Sequence, residues 1–592
     1  MTSNEIRDTP FATWRDPDAW MESMRGPRWK AVLRQETSYS QKYIQSHAVK
    51  KRIGSFRAYY DKAADRDTHL RFTAANGQVE IILLNRFFLQ WRFTNSSQWR
   101  MCRDIAVSES GDVWNTHDIG SGAETFQLSY FPKDSTKPVW KKAPVGPDVV
   151  MKDGLCYYLG VENKLRYNKL YVCDAKTGKE NQVLFENKNP QINMALHKFA
   201  NKRFLMSLED SQDFVYYSVQ GKSLQKGAKE FISECQISDP IDSEGPNFVI
   251  TKHHGEKTLW KCHKKPQKLL HIHAGEIIPN PWALWEGLPM IDMWILKPDS
   301  GASYYVFDGV HFQTIIPPSP TGLVCDRYSA KSKDGTKVHY LVCHKENRIP
   351  KHLMVIGYGA YGMTTGIGNV YLRWAPLLEN GWAIVTTFLR GGGDYDEAWA
   401  KAGRLEGREK TIDDFVACIQ DIQKRLRISA KDTVIHGRSA GGLLVGGTLQ
   451  RYPHGELMKG TYTEVPYVDE LRTTTNPELP LTQLEYNEFG NPTRSVQEFL
   501  SVGSLSPADA ATEIRPKNIF VLNRTAEHDS EVFAYESVKW IRRLRAHQGV
   551  SEAPKMLVFE AGQGHFTPPD QAIQQHTLDA ALLDAWVQGE LK

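Results

Sequence analysis

The run Thr433-Val434-Ile435-His436-Gly437-Arg438-Ser439-Ala440-Gly441-Gly442-Leu443-Leu444 constrains this chain more than any other stretch, because it reads as a strand, a sharp turn and a helix in immediate succession. A β-branched run ends at Gly437, Ser439 sits at the bend, and Ala440-Gly441-Gly442 opens an apolar helical segment that includes Leu443, Leu444, Val445 and Leu449. Small residues on both sides of the serine permit a strained turn that lifts its hydroxyl above a sheet edge, the geometry of a nucleophile elbow. The amide of Ala440 would then face a reacting carbonyl at the positive end of the new helix. Glycine-flanked serines are common in ordinary turns. The strand before this one and the helix after it set it apart.

An elbow needs a sheet to stand on. After Pro317-Pro318-Ser319-Pro320-Thr321-Gly322, which reads as a linker, short apolar runs alternate with longer amphipathic segments. The runs are Leu353-Met354-Val355-Ile356, Ala383-Ile384-Val385, the elbow strand, Ile519-Phe520-Val521-Leu522 and Met556-Leu557-Val558-Phe559. This is the pattern of a doubly wound, mostly parallel sheet over residues 319–592.

Residues 56–318 differ. Paired strand-like runs recur, among them Leu155-Cys156-Tyr157-Tyr158 with Leu170-Tyr171-Val172 and Met293-Trp294-Ile295 with Tyr304-Tyr305-Val306. Successive pairs start roughly 45 residues apart, the period of four-stranded propeller blades, and six or seven blades fit the interval. A meandering sandwich fits the spacing less well. Residues 1–55, with Trp14, Trp20, Trp29, Val32 and Leu33 among mixed charges, read as amphipathic helices.

At 592 residues the chain exceeds one hydrophobic core, and 41 % hydrophobic with 24 % charged residues is ordinary for a soluble protein. The net charge of +4, from 73 basic and 69 acidic residues, argues against a nucleic-acid partner. The polar start Met1-Thr2-Ser3-Asn4-Glu5 has no signal-peptide core, and no apolar run is long enough for a membrane span. Eight cysteines without paired spacing argue against a disulfide framework, so a reducing, cytoplasmic location is expected.

A serine hydroxyl is a poor nucleophile at neutral pH, so the elbow needs a base and a group that orients it. In this type of fold both follow the serine, the acid before the histidine. Asp529 lies just past the run 519–522, and His565 lies on the glycine-lined loop Glu560-Ala561-Gly562-Gln563-Gly564-His565 just past 556–559. Open α/β sheets place ligands at that edge. Glu527 and His528 are local rivals to Asp529, and His576, in a helical pattern, is a weaker rival to His565.

At these residues the chain resembles the prolyl oligopeptidase family of serine peptidases, with the oligopeptidase B branch nearest. The matching stretches are Gly357-Tyr358-Gly359-Ala360-Tyr361-Gly362, Arg390-Gly391-Gly392-Gly393-Asp394-Tyr395 with Trp399, Asp413-Asp414-Phe415, Gly437 to Gly442, and Phe489-Gly490-Asn491-Pro492, together with Trp14-Arg15-Asp16-Pro17 near the start. The resemblance implies a seven-bladed propeller beside an α/β-hydrolase domain onto which the N-terminal segment returns. It implies a Ser439, Asp529, His565 triad, an oxyanion hole from the Ala440 amide and the Tyr358 hydroxyl, and short or unstructured peptides as substrates.

The resemblance also aligns Glu485 with a carboxylate that holds a basic side chain before the scissile bond, near Glu488. Position 487, acidic in that branch, is Asn487 here. The alternative, that Glu485 and Glu488 are solvated surface charges, stays open. A second departure is sharper. Where the family has Asp-x-Arg-Val and the arginine holds a substrate carbonyl, this chain has Asp529-Ser530-Glu531-Val532. A carboxylate cannot donate to a carbonyl, so Glu531 leaves that anchor missing or supplied elsewhere, with Arg524 as a candidate.

The expected protein is therefore a cytoplasmic serine oligopeptidase cleaving after Arg or Lys, monomeric or homodimeric, with no metal or organic cofactor. His253, His254, Cys262, His263, His271 and His273 fit no tetrahedral zinc spacing and are expected on different strands and faces of hairpins. Two alternatives remain. One is a prolyl- or acylaminoacyl-type peptidase or acyl transferase of the same family; the other is a catalytically weak peptide-binding scaffold.

Overall fold

Val355, Val385, Val434, Ile435 and Val521 are all essentially unexposed, which marks strands covered on both faces, as parallel strands are when helices flank them. They lie in the computed structural model of the chain, which describes residues 6–64, 70–84, 88–120, 122–163, 165–199, 203–209, 214–226, 247–262, 266–280, 291–368, 370–546 and 552–591. Two units are present: Met1–Arg66 with Pro320–His565 and Asp570–Lys592, and Asp67–Ser319 with Phe566–Pro569.

The first unit contains an eight-stranded sheet. At one edge Leu323–Lys331 pairs antiparallel with Lys337–Lys345, which pairs antiparallel with Trp382–Thr387. His352–Ile356, Thr433–Arg438, Gly460–Glu464, Phe520–Ala526 and Lys555–Glu560 follow in space, all parallel. The five expected strands are here, joined by 323–331, 337–345 and 460–464, which the sequence reading did not single out. Arg438 stands opposite Glu464, Glu464 opposite Arg524 and Ala526 opposite Glu560, so the last four strands end in register at one edge.

One expectation is corrected at the antiparallel edge. Cys325 and Cys343 sit directly opposite each other in that pair, with Cα atoms 4.3 Å apart, and form a disulfide. Spacing along the chain could not reveal a pairing set by cross-strand register. Cys102, Cys156, Cys173 and Cys418 are buried free thiols.

The second unit is a succession of antiparallel sheets. Strands between Leu70 and Cys102 form a four-stranded sheet, and those between Asp104 and Glu186 form a seven-stranded one. In the latter, Trp140–Lys152 pairs with Phe126–Phe131 through its first half and with Leu155–Asn163 through its second, so two four-stranded units share one long strand. Sheets of four, three and four strands follow. Counting the shared strand twice, five four-stranded units and one three-stranded unit stand among the described residues, where the resemblance implies seven. The first sheet packs on the last: Leu70 and Phe72 touch Trp294 and Leu296, and the Trp294 indole donates to the Arg71 carbonyl at 3.1 Å. That contact joins the ends of the series, as a β-propeller requires.

The N-terminal segment belongs to the first unit, and its helix His47–Ala64 continues past the expected boundary at 55. Met21, Trp29 and Val32 join the core that contains Val338, Leu353 and Ile541, and the Ser40 hydroxyl donates to the Leu557 carbonyl at 2.7 Å. Buried charges lock this contact. Asp16 accepts from Lys539 at 2.8 Å and from Arg543 at 2.7 Å, and Lys539 also reaches Asp469 at 2.9 Å. Burial alone would raise the Asp16 carboxyl, but Lys539 and Arg543 outweigh it and hold the group below its usual range. A carboxyl depressed in the folded state contributes stability above its ordinary pKa and loses it as pH falls through the folded value. Asp16→Asn leaves Lys539 and Arg543 buried with fewer partners and should destabilise this unit by about 3 kcal/mol in urea unfolding at pH 7. A change below about 0.5 kcal/mol would show that the pairs do not hold the segment.

Candidate active site

Ser439 occupies the turn between strand Thr433–Arg438 and helix Gly441–Arg451 with φ at 52°, a left-handed backbone that costs a non-glycine residue about 1–3 kcal/mol. The surroundings hold it there. Its amide donates to the Glu464 carbonyl at 2.9 Å, and its carbonyl accepts from Gly442 at 2.7 Å and Tyr467 at 2.9 Å. A Cβ at Gly437 would meet the Gly441 carbonyl oxygen at 2.2 Å, and one at Gly442 would meet the Pro466 ring at 2.5 Å. The flanking glycines are therefore steric requirements of the turn. Ala440 is buried at the start of the helix, and among the described residues its amide has no acceptor.

Tyr358 packs with Ala440 in a cluster that includes Leu443, Tyr467, Phe489 and Val532. Burial, and after it the carboxylates of Glu531, Glu488 and Glu485, hold its hydroxyl above the ordinary phenol range, so the group remains a donor.

Asp529 and His565 lie past the ends of Phe520–Ala526 and Lys555–Glu560, and each is only 3 % exposed. His565 Nδ1 and Asp529 Oδ2 are 2.8 Å apart. Asp529 Oδ1 accepts from the amides of Glu531 at 3.0 Å and Val532 at 2.8 Å, which fixes the carboxylate's orientation. Burial alone would lower the His565 imidazole, but the Asp529 and Glu531 carboxylates outweigh it and raise it above its ordinary value, with Arg438 opposing.

The convergence of 439, 529 and 565 is direct for the last two and mediated for the first. Arg438, next to the serine, donates to the His565 carbonyl. The Nε2 edge of His565 faces Glu531 Oε2 at 3.3 Å, and among the described residues the Ser439 hydroxyl has no hydrogen-bond partner. The rivals stand apart: Glu527 and His528 are exposed, with Glu527 accepting from the Gly562 amide. His576 sits in helix Pro569–Val587, where burial and Arg373 push its imidazole down to about 3.

The alternative that made Glu485 and Glu488 solvated surface charges is corrected. Glu485 and Glu488, on helix Thr482–Phe489, are both buried. Glu485 accepts from the Tyr361 hydroxyl. Burial, opposed by that bond and reinforced by Glu531, Glu488 and Glu470, pushes it up to about 8, so it is largely neutral at pH 7. Glu488 is paired with Arg404 at 2.9 Å and Arg408 at 3.3 Å, and accepts from the Tyr361 amide at 3.0 Å. Asn487 is half-buried on the same helix. Arg524 is corrected outright as an anchor. It is 3 % exposed and its guanidinium is taken up by Asp579 and Glu560, because at that position in the strand it faces helix Pro569–Val587.

Sequence reasoning missed the charged layer beneath the elbow. Glu464 ends the unassigned strand 460–464 and accepts from Arg373, with His436 at 3.3 Å and Arg438 at 3.5 Å. The available signal was the alternation Thr461-Tyr462-Thr463 leading to a carboxylate. The partners Arg404 and Arg408 lie far along the chain from Glu488 and carried no such signal.

Of the histidine cluster, His253 and His271 lie on different strands, as expected, while His271 and His273 come together beside Glu256. In the β-sheet unit Glu256 lies 3.7 Å from His271 and 3.5 Å from His273, the ligand atoms all fall within 4.8 Å of one another, and His253 stacks on His254. Hairpin register brings Glu256, His271 and His273 to one place, where they could hold a divalent cation at the surface. Cys262's side chain and all of His263 lie outside the described residues.

An elbow serine in left-handed backbone, a buried Asp–His pair after the next strands in order and a mostly parallel eight-stranded sheet define the α/β-hydrolase class. Residues 369–591 match the model of the prolyl oligopeptidase family. Protease 2 of Moraxella lacunata is 32 % identical over 242 residues, covering 40 % of this chain and 34 % of that protein. The human protein called prolyl endopeptidase-like is 31 % identical over 246 residues, covering 41 % of this chain and 32 % of that one. The chain thus matches about a third of the length of these curated relatives. Oligopeptidase B of Leishmania major shares the fold, with a TM-score of 0.81 at 17 % identity over 98 % of this chain and 95 % of that one. Among the described residues no helix is long and apolar enough to cross a membrane.

The electrostatics make a prediction for solution. In an NMR titration His565 should show a midpoint above 6.5, and it should fall in both Asp529→Asn and Glu531→Gln, since each removes a carboxylate that favours the imidazolium. His436, pushed down to about 4 by burial, should stay neutral across the same range. An unmoved His565 midpoint in both variants would contradict the assigned causes.

Proposed function

We propose that this chain is a serine-type oligopeptidase that hydrolyses short peptides, with preference for a cationic residue next to the scissile bond. The observation that carries the reading is the buried 2.8 Å pairing of His565 Nδ1 with Asp529, itself fixed by two backbone amides, at the sheet edge that holds the strained Ser439 turn. Such an arrangement sets the imidazole tautomer so that Nε2 is the basic atom when neutral.

In the proposed reaction Ser439 Oγ attacks the peptide carbonyl carbon while His565 Nε2 takes its proton. The oxyanion forms against the Ala440 amide and the Tyr358 hydroxyl, and losing one such donor costs on the order of a hundredfold or more in rate. The C–N bond then breaks as His565 returns the proton to the leaving amine, which leaves an acyl ester on Ser439. Water attacks the ester with His565 again as base, releases the acid and restores the serine. Asp529 stays ionised throughout and acts through the imidazole.

The preference for a cation is supported by Glu531, a partly exposed carboxylate that acts on both the Tyr358 phenol and the His565 imidazole. A second reading, a peptide-binding protein with weak turnover, is favoured by the His565 edge that faces Glu531 rather than the serine. A fluorophosphonate probe separates the two. The enzyme reading expects stoichiometric labelling of the wild type, none of Ser439→Ala, and a loss of about 10⁴ in kcat for Asp529→Asn. Equal labelling of wild type and Ser439→Ala would remove Ser439 from the mechanism; peptide binding without a burst of acylation would favour the scaffold.

A further inference from the structure

Glu531 differs from every other carboxylate around the serine. Its Oε2 lies 3.3 Å from His565 Nε2, the edge of the ring opposite the one held by Asp529. Its side chain is 23 % exposed and therefore reachable, whereas Glu488 is fully covered and already matched by Arg404 and Arg408. Glu485 is covered as well and is engaged by the Tyr361 hydroxyl. Among the described residues His565 is the only ion-pair partner of Glu531. Its backbone has little freedom: its own amide donates to Asp529, and Val532 beside it packs with Tyr358 and Ala440. The carboxylate can move by its side-chain torsions while the loop stays in place.

We propose that Glu531 is the cation receptor of this site: in the empty site its carboxylate holds the Nε2 edge of His565, and a substrate ammonium or guanidinium takes it over, freeing Nε2 for Ser439. This rests on the peptidase reading above and deepens it by naming the selecting residue, which is neither Glu485 nor Glu488. When the substrate cation engages Glu531, the proton held on Nε2 leaves to solvent, and the neutral imidazole takes the Ser439 proton. A neutral substrate brings no such partner. It leaves an anion on the base and beside the developing oxyanion, and the influence of Glu531 on the Tyr358 hydroxyl shows that this carboxylate acts on that donor. Among the described residues the charged groups that act on His565 include Asp529 on one edge, Glu531 on the other and Arg438 from the elbow strand, and of these three Glu531 can be exchanged for substrate without disturbing the ring's support.

The test measures kcat/KM against pH for a fluorogenic dipeptide with Arg before the scissile bond and for its citrulline isostere, in wild type, Glu531→Gln, Glu531→Ala and Glu485→Gln. Wild type should favour the Arg substrate by on the order of tenfold or more, the scale of one charge-assisted contact. Both Glu531 variants should bring the ratio close to one and move the acid limb for the citrulline substrate to lower pH, because the imidazolium loses a stabilising carboxylate. Glu485→Gln should keep the ratio. A ratio that survives both Glu531 variants, or that is lost in Glu485→Gln alone, overturns the assignment. Fluorophosphonate labelling of Ser439 in the same preparations keeps the two levels apart. Labelling with an unmoved ratio removes only the receptor, while no labelling of wild type removes the peptidase reading and the receptor with it.

Discussion

The parallel register of four strands is the constraint on which the rest depends. Thr433–Arg438, Gly460–Glu464, Phe520–Ala526 and Lys555–Glu560 run side by side and finish together, so residues separated by about a hundred positions emerge at one edge. Ser439 follows the first of these strands, Asp529 the third and His565 the fourth. The second strand contributes Glu464, which accepts the Ser439 amide through its carbonyl and pairs with Arg438 through its side chain. A one-residue slip of any strand would turn each of these side chains to the opposite face. The buried apolar content of the sheet therefore matters to chemistry as well as to stability, because it specifies the register.

Charge is arranged around this edge in two ways. Below the elbow and under the N-terminal segment, buried carboxylates are matched by arginine or lysine, as in Glu464 with Arg373, Asp16 with Lys539 and Arg543, and Arg524 with Asp579. Breaking such a pair by removing one partner is far costlier than never having had it, so these contacts hold geometry more than they add net stability. Around the serine the balance is different. Glu485 escapes its burial penalty by taking a proton near neutral pH, and among the described residues Glu531 is opposed only by an imidazole that must be neutral to act as a base. An unmatched anion beside the histidine is an invitation to a cation, and in the proposed function it supplies the preference for one.

Much of this was legible in the sequence, and what was not has physical causes. The elbow carries its own signature, since Gly437 and Gly442 are demanded by contacts at 2.2 and 2.5 Å that only a hydrogen side chain allows. Asp529 and His565 could be found because each follows a strand of buried aliphatics by a short loop. The strand 460–464 escaped notice because Gly460-Thr461-Tyr462-Thr463-Glu464 is polar in composition, although every residue in it is buried. Cys325 with Cys343 was misjudged, and Glu256 beside His271 and His273 was not foreseen, for one reason: cross-strand register brings together residues whose spacing along the chain says nothing. Arg524 failed as an anchor because proximity to Asp529 in sequence does not tell which face of the strand its side chain takes. The departure at Glu531 was visible as a substitution of charge, but its position against His565 Nε2 required coordinates.

The most direct measurement of the central claim is a crystal structure of the protein after reaction with a peptidyl-arginine chloromethyl ketone, a reagent that can bond a nucleophilic serine through its carbonyl carbon and a histidine through its methylene. Continuous density from Ser439 Oγ through the reagent to His565 Nε2, with Asp529 still on Nδ1 and the Glu531 carboxylate moved onto the guanidinium, is the predicted result. A reagent attached elsewhere, with Glu531 still seated against Nε2, would contradict the account.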